Sequence, residues 1–369
     1  MEARLKGERS FKAHKYPDLR RELMMIGRSL KAYFTAFIGL TSLILVPLFI
    51  AAQKNPYRPP GRLIDIGGYK LHLYCTGRGS PTVILSYGAG GTFLDWALVQ
   101  PDVAKFTRVC SYDRAYEGFS DAGPLPITLH QQVFELHQLL RAANIDSPFV
   151  LVGQSLGGMQ SQLFLSTYPQ EVVGMVLIDS TSVDTPIGVG QQIGPEVTVT
   201  DVPPPQTIKS SPPLPPNAED QKLLDKGYAN LSKLYAGPTW PSDNPRSKLP
   251  IETQQMERWL LSHPKPISFA KGDEFTIWIP RELHQIKIER EDKKNPFGDL
   301  PLLVLGARGT LEDSKRQTEL NDMVMLSTNS LLIVDPVGEH YMQTWQPQLV
   351  VRAIRQVVEA VKSDGRIDR

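Results

Sequence analysis

Cysteine is nearly absent from this chain, with Cys75 and Cys110 the two it has in 369 residues. Two are too few for a disulfide framework, and they lack the spacing of a metal or redox pair, so no metal is expected. In an oxidising compartment they pair; otherwise they stay as buried thiols, and the sequence leaves both open. A surplus of either charge is missing too, since 40 Lys and Arg stand against 39 Asp and Glu. Beyond the first 31 residues no basic stripe is left for nucleic acid. No internal repeat is present. The glycine-rich loop Gly88-Ala89-Gly90-Gly91 lacks the third glycine of a dinucleotide fingerprint, because Phe93 stands there. With no acidic residue placed for a ribose, no cofactor is expected.

Long apolar runs are scarce, with one exception. Ala32–Gln53 contains no charged residue, and a helix of that length, at about 1.5 Å per residue, matches a hydrocarbon layer of about 30 Å. Pro47 falls near its far end, where lipid tolerates a helix breaker. Residues 1–31 carry a local charge of +5 in a chain of net +1. By the positive-inside tendency this leader (1–31) stays cytoplasmic, 32–53 spans the bilayer as an uncleaved signal anchor, and the remainder is extracytoplasmic. A cleaved signal peptide or a buried core helix are the alternatives. The leader is long for the first, and the apolar run exceeds the usual signal core of about 7–15 residues.

After a polar bridge at 54–62 the chain divides into short β-like runs and amphipathic stretches. Leu63–Gly77 reads as a hairpin turning at Gly67-Gly68, and Thr82–Gly88 and Arg108–Asp113 as strands. Residues 128–143 place Leu129, Val133, Leu136, Leu139 and Leu140 at helical spacing. The strand Phe149–Gly153, a helix near Gly157–Tyr168 and the strand Val172–Ser180 follow. Such alternation predicts βαβ units in a mostly parallel, doubly wound sheet. The rhythm breaks at 181–295, where seven prolines crowd Pro203–Pro216 between helix-like pieces at Asp220–Tyr235 and Ile251–Leu261. It resumes with the strand Leu300–Gly306, a helix near Glu312–Leu326, the strand Ser330–Val337 and a helix at Gln348–Val361. The expected organisation is an α/β core, 63–180 and 296–369, with a cap or lid insertion at 181–295.

Parallel sheets gather functional groups at the carboxyl ends of their strands. Ser155 follows a strand there, inside Gly153-Gln154-Ser155-Leu156-Gly157, a G-x-S-x-G pattern. A nucleophile raised on a strained strand-to-helix turn leaves no room for Cβ atoms two residues to either side. A serine hydroxyl needs a base. Of seven histidines, His14, His72, His130, His137, His263, His284 and His340, only His340 follows a late strand and precedes the last helix. It completes the chain order Ser…acid…His. For the acid two places compete: Asp179, ending the strand after the nucleophile's helix, and Glu312 or Asp313, after Leu300–Gly306. The later pair arrives late enough to open the next helix, where acids are ordinary cap and dipole partners. The oxyanion donors are expected at the main-chain N–H groups of Leu156 and Ala89.

Together these pieces resemble the α/β-hydrolase fold superfamily, in its capped esterase, epoxide-hydrolase and dehalogenase-like branch, over about residues 62–362. The likeness rests on Tyr87-Gly88 where the family has His-Gly, on Asp113-Arg114…Gly118-Phe119-Ser120-Asp121, on the Ser155 turn and on the late His340. It implies Ser155 as nucleophile, His340 as general base, Ala89 and Leu156 as oxyanion donors, and the insertion as a lid. Asp113 and Arg114 are implied to be structural. Tyr87 and Gln154 depart from the family pattern, as does the missing carboxylate after Leu300–Gly306, a variant that Asp179 fits. A serine nucleophile argues against dehalogenase and epoxide-hydrolase chemistry, which leaves ester, thioester or amide cleavage of a small-molecule substrate. The alternatives are a catalytically silent binding module, or an acyltransferase using the same residues.

Overall fold

The computed structural model describes residues 56–182, 237–263, 279–363 and 365–367, with isolated positions at 222, 226, 230 and 233–235. The leader 1–31, the expected anchor 32–53, and the proline-rich 203–216 lie outside the described residues, as does most of Asp220–Tyr235. Among the described residues no helix is long and apolar enough to cross a membrane.

Eight strands form one sheet: β1 (Arg62–Asp65), β2 (Lys70–Thr76), β3 (Thr82–Ser86), β4 (Val109–Tyr112), β5 (Phe149–Gln154), β6 (Val172–Ile178), β7 (Leu302–Gly306) and β8 (Ser330–Val334). Their order is β1-β2-β4-β3-β5-β6-β7-β8. The pairs β1/β2 and β2/β4 are antiparallel and the rest parallel. The longer helices are α1 (Leu129–Ala142), α2 (Leu156–Thr167), α3 (Ile251–Ser262), α4 (Ile279–Arg290), α5 (Ser314–Val324) and α6 (Pro347–Lys362). Short helical turns at Phe93–Trp96 and Gln100–Val103 follow β3.

The period of two in the central strands feeds two separate cores. Ile84, Leu151, Met175, Leu177, Leu302 and Val304 point to one face, against Leu136 and Leu140 of α1, Phe164 of α2 and Leu320 of α5. Their neighbours Val83, Leu85, Val150, Val152, Val176 and Leu303 point to the other, against Trp96 and against Val350, Ile354 and Val357 of α6. The 3–4 spacing of those α6 residues is why that stretch winds as a helix with one buried face. Thr128 starts α1 by accepting the Gln131 N–H. Between β6 and β7 the described residues contribute α3, α4 and a short turn at Pro245–Lys248. Cys75 and Cys110 are direct cross-strand partners of β2 and β4, their Cα atoms 4.0 Å apart, and form a disulfide.

Candidate active site

Helix α2 begins directly after β5, and the junction is Ser155, with φ 51° and ψ −121°. Asp179, just past β6, has φ 39°. Two of the four non-glycine residues with positive φ among the described residues are therefore at this one place, where strain is held by the surrounding packing. A Cβ on Gly153 would run into the main chain of Gly157, one on Gly157 into the carbonyl of Ser86, and one on Gly158 into Ser180. The G-x-S-x-G-G run is thus a set of close approaches rather than chance composition.

His340 lies in the loop after β8. Its Nδ1 meets Asp179 Oδ2 at 2.5 Å. Asp179 Oδ1 accepts from Arg316 Nη2 at 3.0 Å and, at 3.4 Å, from the Ala307 N–H. Arg316 also donates Nη2 to the Ser180 carbonyl and Nη1 to Glu319. Burial pushes the Asp179 carboxyl up, but the His340 hydrogen bond and the Arg316 charge outweigh it and hold it below its ordinary value. The rival acid Asp313 instead caps α5, accepting the N–H groups of Lys315 and Arg316. Glu312 ends the short turn Gly309–Glu312. A cleft of about 340 Å³ opens beside Asp179 and His340, lined also by Thr181, Lys315 and Arg316.

Among the described residues no hydrogen bond joins Ser155 to His340. The imidazole Nε2 is met at 3.1 Å by the side-chain amide nitrogen of Gln154, which also donates to the His340 carbonyl. An amide nitrogen can only donate, so Nε2 is an acceptor here and the ring proton sits on Nδ1, facing Asp179. Gln154 Oε1 is buried without a partner.

The Gly88 loop packs against the serine: a Cβ on Gly88 would lie 3.1 Å from Ser155 Cβ. Arg114 clamps this loop, donating to the carbonyls of Tyr87 (2.8 Å) and Gly88 (2.7 Å) while its guanidinium lies 4.1 Å from the Tyr87 ring centre. The Tyr87 hydroxyl accepts the Arg114 N–H at 2.7 Å, and burial raises its pKa well above the usual value, so it stays neutral. Ala89 is exposed at the loop's tip, and Leu156 is the first residue of α2, where leading N–H groups have no intrahelical acceptor.

Other described histidines have partners elsewhere: His72 pairs with buried Asp113, His130 with Glu282, and His137 with Glu171. The insertion reaches the site at two points. Arg246 holds Asp95 at 3.0 Å and Glu257 at 2.8 Å, and its guanidinium stacks 4.9 Å from Tyr341, the neighbour of His340. A Cβ on Gly91 would strike Asp95, so this cluster also abuts the glycine loop. The sequence did not single out Arg316, Arg246 or Glu257, and no local motif marks them.

A family model described as the alpha/beta hydrolase fold matches residues 81–196 of this chain, the segment from β3 through the serine turn to Asp179 and beyond. Over those residues the chain is similar to the α/β-hydrolase superfamily. A similar solved structure is a meta-cleavage product hydrolase from Pseudomonas fluorescens, at TM-score 0.55 and 19% identity, covering 83% of this chain and 99% of that one. An "AB hydrolase superfamily protein" of Gibberella zeae is 24% identical over 76% of this chain and 87% of its own length. "Probable transporter efuK" of Hormonema carpetanum is 23% identical over 83% of this chain, which spans 44% of that relative's length.

Proposed function

We propose that this chain is a membrane-anchored serine hydrolase that cleaves a carboxylic ester, or a thioester or amide, through an acyl-enzyme. The observation that carries the reading is the 2.5 Å contact of His340 Nδ1 with Asp179 beside a strained serine turn. In this reading Ser155 gives its proton to His340 Nε2 as Oγ attacks the carbonyl carbon. The N–H groups of Ala89 and Leu156 hold the oxyanion, and Asp179 stabilises the imidazolium. His340 then protonates the leaving alcohol, thiol or amine, and water releases the acyl group by the same route. The Gln154 amide withdraws from Nε2 as Ser155 turns toward it, since an imidazolium N–H and an amide N–H cannot face each other. The insertion 181–295 serves as the lid, and the ties of Arg246 to Asp95 and of Glu282 to His130 support that role. The Cys75–Cys110 disulfide supports an oxidising, extracytoplasmic setting for the domain, with 32–53 as anchor.

A second reading, a silent binding module of the same fold, is favoured by Gln154 standing where the serine hydroxyl should bond. A fluorophosphonate probe separates the two. Labelling of wild type, lost in Ser155→Ala and strongly slowed in His340→Ala, is the expected result. Absence of labelling from every form favours the silent module. Ester turnover should fall about 10⁴-fold in Asp179→Asn, as for loss of a triad acid, and stay within about twofold in Asp313→Asn. Competing alcohols in the same assay report acyl transfer by its products.

A further inference from the structure

A cavity of about 250 Å³ lies between the C-terminal end of α4, α2 and the end of α5. That is room for several water-sized groups. Four cations line it, Lys287, Arg290, Lys293 and Lys294, against two acids, Glu291 and Asp322. Its floor is apolar, with Met323 and Leu326.

Arg290 is the unusual member. One guanidinium nitrogen, Nη1, donates to Gln162 at 2.9 Å, and the group lies 5.0 Å from the Phe297 ring centre. Nη2 is buried with no hydrogen-bond partner, and among the described residues no carboxylate forms an ion pair with the side chain. Burial pulls the Arg290 pKa down to about 10, only partly offset by Glu289. A cation at a helix C-terminus is ordinarily explained by the helix dipole or by capping of the last carbonyls. Here the Ile288 and Arg290 carbonyls are already taken by the N–H groups of Glu291 and Lys293. A desolvated guanidinium without a counter-charge is costly, and the cost is removed when an anion enters.

We propose that this cavity is a binding site for a phosphate-type dianion, with the lining residue Arg290 as its central cation and the lysines around it completing the neutralisation. The surplus of two positive charges in the lining suits a doubly charged group better than a single carboxylate. A planar fork suits two of its oxygens. The same chemistry is carried by free inorganic phosphate or a small phosphate ester, and by the headgroup of an anionic phospholipid.

The test uses the full chain in a neutral detergent, with thermal unfolding followed by tryptophan fluorescence. Sodium phosphate is titrated against sodium chloride at matched ionic strength, and phosphatidate-doped micelles are compared with phosphatidylcholine-doped ones. Phosphate should raise the wild-type Tm saturably, as mass action on the folded state requires. Arg290→Gln should weaken the apparent affinity by about tenfold or more, the effect of losing a charge-assisted hydrogen bond. Lys293→Ser with Lys294→Ser, at exposed positions, keeps the fold and should weaken it about threefold. A larger response to phosphatidate than to phosphate assigns the ligand to lipid; the reverse assigns it to a soluble phosphate. Neither response in wild type, or a response that both variants leave unchanged, overturns the proposal. If Arg290→Gln does not fold, the double lysine variant decides alone.

Discussion

Each oxygen of the Asp179 carboxylate has its own partner, His340 on Oδ2 and Arg316 on Oδ1. The carboxylate proposed as the triad acid is therefore shared with a permanent cation. Sharing orients the carboxylate, but it also draws charge away from any imidazolium. Replacing Arg316 with Met should lower ester turnover about tenfold and move the acid limb of the kcat/KM profile to higher pH by about one unit, because the protonated dyad loses a repelling neighbour. Arg316→Lys, which keeps the charge and loses the fork, should reduce turnover with the limb near wild type. A loss of rate in the Met variant without movement of the limb would show that Arg316 acts on structure alone. Order along the chain brought His340 forward and left its acid open between Asp179 and the later Glu312 or Asp313, although the late arrival of Asp313 after β7 already suggested a cap. Arg316 was not, because its partner is 137 residues away and no periodicity connects them. Gln154 was visible as a departure from the family pattern, yet its contact with Nε2 belongs to a loop that only folding brings near.

At the scale of elements, strands and helices with a repeating apolar face were read almost to the residue: 128–143 against Leu129–Ala142, and Gln348–Val361 against Pro347–Lys362. The expected helix Glu312–Leu326 is instead broken at Asp313, whose side chain starts a new helix. Helix α4 was missed, since a charged residue of its own, Glu282, is buried by tertiary partners, accepting the Leu129 and His130 N–H groups. The same holds for the tie between the insertion and the turn after β3. There one guanidinium, Arg246, serves two buried carboxylates, Asp95 and Glu257, with Trp240 donating to Glu257 and Arg258 stacked on the Trp240 ring. Burial pushes Glu257 up to about 8, against the pull of Arg246 and with that of Asp95. Between the ordinary carboxylate range and that value the folded chain keeps a proton that the unfolded chain has lost. Stability from this group therefore falls as pH rises through the interval and levels off above it. Glu257→Gln, which leaves one charge on each side, should be more stable than wild type by about 1–2 kcal/mol at pH 8.5. The difference should shrink toward pH 5. Thermal melts at the two pH values check this, and an equal offset at both would contradict it.

For the molecule as a whole, the disulfide is the feature that composition could not decide, since two cysteines 35 residues apart are compatible with pairing or with burial as thiols. Register decides it: β2 and β4 run antiparallel with Cys75 opposite Cys110, and no free cysteine remains among the described residues. A link closing that loop stabilises by at most about 4 kcal/mol in the chain-entropy view. The double Cys75→Ala and Cys110→Ala variant should accordingly melt several degrees lower while keeping the sheet. The bond also bears on where the domain works, because a reducing cytosol would keep the thiols apart. If residues 32–53 anchor the chain with its leader inside, three results should coincide in cells. The full-length chain stays with membranes after alkaline carbonate, protease added from the extracytoplasmic side cleaves the folded domain, and a maleimide reacts with the denatured chain only after reductant is added. A soluble chain whose two thiols react without reductant would overturn the anchored, oxidised arrangement at once. Membrane retention with reactive thiols would turn the topology around, placing the domain on the cytoplasmic side beside its leader.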